Sequence, residues 1–296
     1  MIAPRSARVL LGVLSAGIVL IGGACAAGST TPDAEVAPAS VTSARDIEVV
    51  SFGDAANVDN VWFPLVPGTR MTWEGHAYDD GELIRRRVVF TVSDLTKTIG
   101  DVQTRVALDM DYNDDRLAEQ EIMFFAQDDG GNVWLFGEYP EEYEDGKIAK
   151  TPAWIHGSEG AKAGLAMKAA PTATDADYPQ GWGPQVGWND RAAVDATAGR
   201  TCTPVGCYEN VLVMREYSRD EPGASQLKFY AEGVGTVRVG WRGPNEEERE
   251  EMVLVSVEHL TAAEMDELRR KIIAQDERAY RYVPQTYGST ARIVAT

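Results

Sequence analysis

Nine short runs that read as strands, several of them with apolar and polar residues in clean alternation, lie between Trp62 and Leu260 and constrain this chain more than any other feature. They occupy residues 70–73, 86–93, 104–112, 121–126, 132–136, 210–217, 226–230, 235–241 and 252–259, each between turn residues. A period of two places successive side chains on opposite faces of an extended backbone. No long stretch of helical period separates the runs, which favours antiparallel pairing over βαβ units. Val88, Phe90 and Val92 share one strand face, and Val106, Leu108 and Met110 share a face of the next. The expected fold is mainly β, a curved antiparallel sheet forming an incomplete barrel or a sandwich, with one C-terminal amphipathic helix.

Two parts of the chain carry a common unit. Residues 100–112 lead to Phe124-Phe125-Ala126-Gln127 and a glycine turn into Val133; residues 206–217 lead to Phe229-Tyr230-Ala231-Glu232 and a glycine turn into Val237. Duplicated units commonly build one continuous core. Residues 49–260 are therefore expected to form one β domain with an internal repeat at about 60–150 and 178–260. Residues 154–199, richer in Gly, Ala and Pro, read as a covering segment that contains Trp182 and Trp188. Thr261-Ala262-Ala263-Glu264 is a capping box, flanked by the staple pair Leu260 and Met265. With Met265, Leu268 and Ile272 on one face, it predicts a helix over 262–280 within a C-terminal segment, 261–296.

Arg5 and Arg8 precede an apolar run, residues 9–21, that ends in Gly22-Gly23-Ala24-Cys25. Basic residues, a short apolar run and small residues are the parts of a secretory signal peptide. The run falls well short of the ~20 residues that span a bilayer, so residues 1–24 are expected to be removed. Ile21-Gly22-Gly23-Ala24-Cys25 resembles the bacterial lipobox, with Gly22 where leucine is usual, and predicts a diacylglyceryl group on Cys25. Ala24-Cys25-Ala26 also fits the Ala-x-Ala site of ordinary signal peptidase, which would instead give a secreted protein. Residues 25–48 hold many Gly, Ser, Thr and Pro and no aromatic residue. Such a segment reads as a flexible tether, and one of about twenty residues reaches roughly 25 Å. The membrane is thus an expected partner, through the lipid.

Three cysteines make an odd count, which calls for an explanation in an exported chain. With Cys25 assigned to lipid, Cys202 and Cys207 remain, separated by Thr-Pro-Val-Gly. Pro204 and Gly206 suit a chain reversal, so the pair is expected to form a structural disulfide worth ~2 kcal/mol. A zinc site needs four ligands, and a redox centre normally has a two-residue gap.

Val61-Trp62-Phe63-Pro64-Leu65-Val66-Pro67-Gly68-Thr69, followed by Trp73-Glu74-Gly75, resembles the opening of a family of exported bacterial proteins of unknown function. Residues 126–134 and Phe136-Gly137-Glu138 resemble that family's middle block. Tyr230-Ala231-Glu232-Gly233-Val234-Gly235 is similar to its Tyr-Ala-Pro-Gly-Val-Gly block, with Glu232 in place of proline. The resemblance covers about residues 60–239 and implies an exported β protein, with no reaction, cofactor or catalytic residue attached. The C-terminal helix and the Cys202/Cys207 turn fall outside it.

The chain has 28 basic and 46 acidic residues, and losing Arg5 and Arg8 carries the formal charge from −18 to −20. So acidic a protein repels nucleic acid and anionic headgroups. Asp109, Asp111, Asn113, Asp114 and Asp115 suggest a calcium loop, but its sixth and twelfth positions hold Asp114 and Gln120 instead of glycine and glutamate. Alternation places Asp109, Asp111 and Asn113 on a solvated strand face, with Arg87 roughly across from Asp111. His76, His156 and His259 stand apart from one another, and Gly157-Ser158-Glu159-Gly160 is no nucleophile elbow. Neither a metal site, a cofactor site nor a catalytic residue is expected. Trp62, Phe63, Trp73, Phe124, Phe125, Trp134, Phe136, Tyr230 and Trp241 lie on or beside the strands. They read as a packed core, or else as the concave face of an open sheet holding an apolar or glycan ligand. The leading expectation is a lipid-anchored, extracytoplasmic, non-catalytic envelope protein whose β domain binds an apolar, glycan or protein ligand. The alternatives are a carrier of lipid or another apolar molecule, and a carboxylate-based extracytoplasmic hydrolase.

Overall fold

Each of the nine runs falls within a longer strand, apart from Asn132, which lies just ahead of its strand. The computed structural model describes residues 50–295; the leader, Cys25 and the tether lie outside them. Five long strands open the sheet: β1 (Thr69–Asp79), β2 (Glu82–Ile99), β3 (Val102–Asn113), β4 (Arg116–Gln127) and β5 (Val133–Glu144). Asp114 and Asp115, φ 47° and 66°, make the two-residue turn between β3 and β4. Positive φ at both central residues gives the twist that suits a hairpin, and aspartate tolerates it.

Short strands follow: β6 (Lys147–Lys150), β7 (Trp154–Ile155), β8 (Lys162–Met167), β9 (Tyr178–Pro179) and β10 (Gly181–Trp182). The second half holds β11 (Arg191–Cys202), β12 (Cys207–Tyr217), β13 (Ser225–Ala231), β14 (Gly235–Arg242) and β15 (Glu251–His259). The chain ends with α1 (Ala262–Tyr282), α2 (Pro284–Tyr287) and β16 (Val294–Ala295). The strand order β10-β8-β5-β4-β3-β2-β1-β15-β14-β13-β12-β11-β9 is antiparallel throughout and rolls into a nearly closed barrel. Residues 178–182 touch both free edges, since β9 pairs with β11 and β10 with β8.

This corrects the expectation for residues 154–199. They contribute β7–β10 and the first part of β11 to the sheet, and residues 178–182 supply the crossing between its edges. Glycine makes the crossing possible: a Cβ on Gly164 would lie 2.3 Å from the backbone of Gln180, and one on Gly181 would lie 2.4 Å from Trp188 Nε1. β3-β4-β5 and β12-β13-β14 are both three-strand meanders. Each carries a register shift at its aromatic pair, Phe124/Phe125 in one and Phe229/Tyr230 in the other.

One end of the barrel is plugged by residues 50–68. Phe63 lies 5.4 Å from the Phe125 ring and 6.5 Å from that of Tyr230. Asn60 Nδ2 donates to Gly131 O (2.8 Å), and Gly233 N donates to Val61 O (2.7 Å). The three motif blocks of the family resemblance thus meet in space and close this end.

Helix α1 begins at the Thr261/Glu264 capping box and buries Leu268, Ile272, Gln275, Asp276 and Ala279. It lies on the outside of β2–β5. Gln275 Nε2 donates to Gln120 O (2.8 Å) and Tyr139 O (3.2 Å), Lys97 Nζ donates to Asp276 Oδ1 (2.9 Å), and Arg278 grips both oxygens of Glu141. β3 and β4 are therefore covered on both faces. Among the described residues no helix is long and apolar enough to cross a membrane.

Candidate functional site: an acid-lined barrel interior

The Asp114-Asp115 turn pairs Asn113 with Arg116 and Tyr112 with Leu117, and a bulge between Asp111 and Tyr112 then shifts the register by one, bringing Asp109 opposite Glu121 and Asp111 opposite Glu119. On β5, Glu138 stands opposite Met123, two residues from Glu121 and on the same face. On β2, Val88 stands opposite Asp111, and Arg86 shares Val88's face. Cross-strand partners point the same way, here into the barrel. Asp109, Asp111, Glu119, Glu121 and Glu138 are at most 4% exposed.

The second half adds Glu216 opposite Gln226, and Lys228 two residues along. Lys228 Nζ lies 2.6 Å from Glu216 Oε2. Arg86 donates to Asp111 Oδ2 (2.5 Å), Glu250 Oε1 (2.9 Å) and Asn113 Oδ1 (2.7 Å). Gln226 Nε2 donates to Glu250 Oε2 (2.8 Å) and Gln180 Nε2 to Glu216 Oε1 (3.0 Å). Seven buried carboxyl groups, Asp109, Asp111, Glu119, Glu121, Glu138, Glu216 and Glu250, thus face two cations, Arg86 and Lys228.

This overturns the solvated-face expectation for Asp109 and Asp111. The outer face of β3, with Leu108 and Met110, is taken by the helix, so the acidic face turns inward. An arginine does pair with Asp111, but it is Arg86. Arg87 stands opposite Tyr112 and lays its guanidinium over that ring, 3.9 Å from the centroid. Asn113 joins the Arg86 network, while the exposed Arg85 bonds Asp115 at 2.8 Å.

Burial, then repulsion from Asp111, holds the Asp109 carboxyl well above the usual range. Glu119 is raised by burial, Asp111 and Glu142, and Glu121 by burial, Glu138 and Glu119. Burial lifts Asp111 to about 7 even against Arg86. It lifts Glu138 to about 8, opposed by the Trp154 Nε1 hydrogen bond (3.0 Å) and by Lys228. Carboxyls with such values hold protons near neutrality.

The other candidates lie elsewhere. Cys202 and Cys207 are disulfide-bonded, Cα atoms 4.0 Å apart, at the exposed tip of the β11–β12 hairpin. Cys25 lies outside the described residues. Phe63, Trp73, Phe124, Phe125, Trp134, Phe136 and Tyr230 are packed into the core, whereas Trp62 and Trp241 are half-exposed. His76 and His259 are exposed, and His156 Nδ1 accepts from Ala163 N (3.1 Å). Among the described residues no three His, Cys, Asp or Glu side chains converge as metal ligands.

Sequence reasoning missed Glu119, Glu121, Glu138, Glu216, Glu250, Arg86 and Lys228 as site residues. No local signal pointed to the first two: a regular two-residue turn at Asp114-Asp115 would set Gln120 opposite Asp109 and Ala118 opposite Asp111, and only the bulge beyond the turn brings Glu121 and Glu119 there.

No family model matches the chain, and no curated protein matches it. Among solved structures it is similar to a protein inferred to be exported, with a YmcC-like fold, from Bacteroides fragilis. Identity is 15%, coverage is 67% of this chain and 99% of that one, and the TM-score is 0.41. It is also similar to a protein inferred to be a lipoprotein from Parabacteroides distasonis, at 13% identity, the same coverages and a TM-score of 0.39. Likenesses this distant carry no argument about what this chain binds.

Proposed function

We propose that this chain is a tethered, extracytoplasmic, non-catalytic protein whose barrel takes a small organic cation, an amine or guanidinium, into its interior. The observation that carries this reading is the imbalance of seven enclosed carboxyl groups against two cations. A buried excess of negative groups is costly unless it is neutralised or paired. Side chains two apart on one strand face lie about 7 Å from each other. The rows Asp109/Asp111 and Glu119/Glu121 therefore suit a linear amine better than a single metal ion. An interior lined in this way supports a cationic ligand over the apolar cargo of a lipid carrier. Raised and ionised carboxyls side by side are also what acid–base hydrolysis uses, but Asp109, Glu119 and Glu121 are enclosed beyond the reach of a polymeric substrate.

Location outside the cytoplasm is supported by the leader and by the Cys202–Cys207 bond, since disulfides persist in oxidising compartments. Lipid attachment at Cys25 follows from the lipobox-like run. Cys25→Ala is expected to move the protein from the membrane fraction to the medium; unchanged partitioning on fractionation would overturn the anchor.

Cation uptake is tested with spermidine, an uncharged polyol and a fatty acid, by native mass spectrometry and thermal shift. Spermidine should bind and raise the melting temperature, and Asp109→Asn should weaken it several-fold. Retention of the fatty acid with no response to spermidine would replace this reading with the apolar carrier.

A further inference from the structure

The unpartnered groups on the β3–β5 wall are of one kind. Both oxygens of Glu121, Asp109 Oδ2, Asp111 Oδ1, Glu119 Oε1 and Glu138 Oε1 are buried acceptors without a donor. The opposite wall is mixed: the amide oxygens of Gln180 and Gln226, residues 2% and 6% exposed, lack a donor, but the Tyr178 and Tyr230 hydroxyls there are unpartnered too. The amide nitrogens of the two glutamines are committed to Glu216 and Glu250. Arg86 is shared among Asp111, Asn113 and Glu250, and Lys228 sits against Glu216. A carboxyl group turns from pure acceptor into donor by taking a proton, so protons on this wall supply the missing donors.

We infer that the β3–β5 wall is a proton store: Asp109, Glu119 and Glu121 carry protons in the folded, ligand-free protein near neutral pH, and an entering cation displaces them. The displacement rests on the cation-binding reading above; the store itself does not. The charged groups facing Glu121 are Arg86 on β2, Asp109 and Asp111 on β3, Glu119 on its own strand and Glu138 and Glu142 on β5. Across the barrel are Glu216 on β12, Lys228 on β13 and Glu250 ahead of β15, with the Tyr178 and Tyr230 hydroxyls beside Glu216. Two cations cannot neutralise that set, and burial raises the acids further, so protonation is the remaining way to balance the charge. For each positive charge taken in, one carboxyl O–H gives its proton to solvent, and the interior charge stays constant. Cation binding should therefore tighten about tenfold per pH unit for each proton displaced, until the wall is fully ionised.

Infrared spectroscopy of the full mature chain without ligand tests the store. A carboxylic-acid carbonyl band should be present near pH 7, fade as pH is raised, and shrink in Glu121→Gln. No such band near pH 7 overturns the inference. If Glu121→Gln fails to fold, the pH titration of the unmodified protein and Asp109→Asn decide the matter in the same way. Calorimetry with spermidine, in two buffers of different ionisation enthalpy, tests the exchange. Buffer-dependent heats that report proton release support it. Binding without proton release overturns the exchange and leaves the cation reading standing. No binding at all overturns the cation reading, and the infrared band alone then decides the store.

Discussion

Glu121 has no exposed surface and no partner for either oxygen, so its proton affinity is tied directly to folding. Its carboxyl, like those of Asp109 and Glu119, is raised in the fold, while Asp111 stands at about 7 and Glu138 at about 8. Unfolded carboxyls titrate near 4. Between that range and the folded values the native state holds more protons than the unfolded one, so stability falls as pH rises and levels off once the wall is ionised. The melting temperature is expected to be higher at pH 6 than at pH 9, measured by calorimetry at constant ionic strength. Glu121→Gln should flatten this dependence and stabilise the protein at the alkaline end by ~1–3 kcal/mol, the usual cost of an orphaned buried polar group. A melting temperature that climbs with pH across this window would show that the acids are ionised and compensated.

At the scale of elements, α1 is held to the sheet by charge as well as by apolar contact. Lys97 is fully buried, and its ammonium donates to Asp276 Oδ1 (2.9 Å), Tyr280 Oη (3.0 Å) and Ala291 O (2.6 Å). The Tyr287 ring centroid lies 4.5 Å from Nζ. One side chain of β2 thus pins the helix and the chain that follows it. Lys97→Met would leave the Asp276 carboxylate buried without its cation, and removing one partner of a buried pair costs about 3–5 kcal/mol. Urea denaturation should show that loss. A loss below about 1 kcal/mol would mean that the helix docks through Leu268 and Ile272 alone.

The whole molecule depends on the five residues that join the two edges of the sheet. Residues 178–182 add two paired positions to β11 and two to β8, little hydrogen bonding for the closure of a barrel. The joint works because Gly164 and Gly181 let backbone and tryptophan rings approach closely. Gly164→Ala places a methyl where the Gln180 backbone lies, so the edges must part. Hydrogen exchange should then accelerate in β8, β9 and β11 while β2–β4, under the helix, keep their protection. Uniform acceleration would instead mean that the barrel opens only as a unit. Gln180 is on the same crossing and bonds Glu216, so parting the joint should also admit solvent to the acidic wall.

Strand positions, the helix with its capping box and the Cys202–Cys207 reversal were legible because local chemistry decides them: a period of two, a Thr-x-x-Glu spacing, and proline and glycine between two cysteines. Alternation also said which residues share a face. It could not say which face turns inward, and Asp109 and Asp111 are where that mattered. Their strand is amphipathic in the ordinary sense, yet α1, more than 150 residues further along the chain, covers its apolar side. The polar side becomes the lining of the barrel. The same holds for residues 178–182, which read as part of a covering segment until two distant edges come within reach of them. Periodicity is a property of neighbours in sequence, whereas the inside of a barrel is set by pairing and coverage between segments far apart. Only the tertiary structure could turn an acidic strand face into an enclosed one.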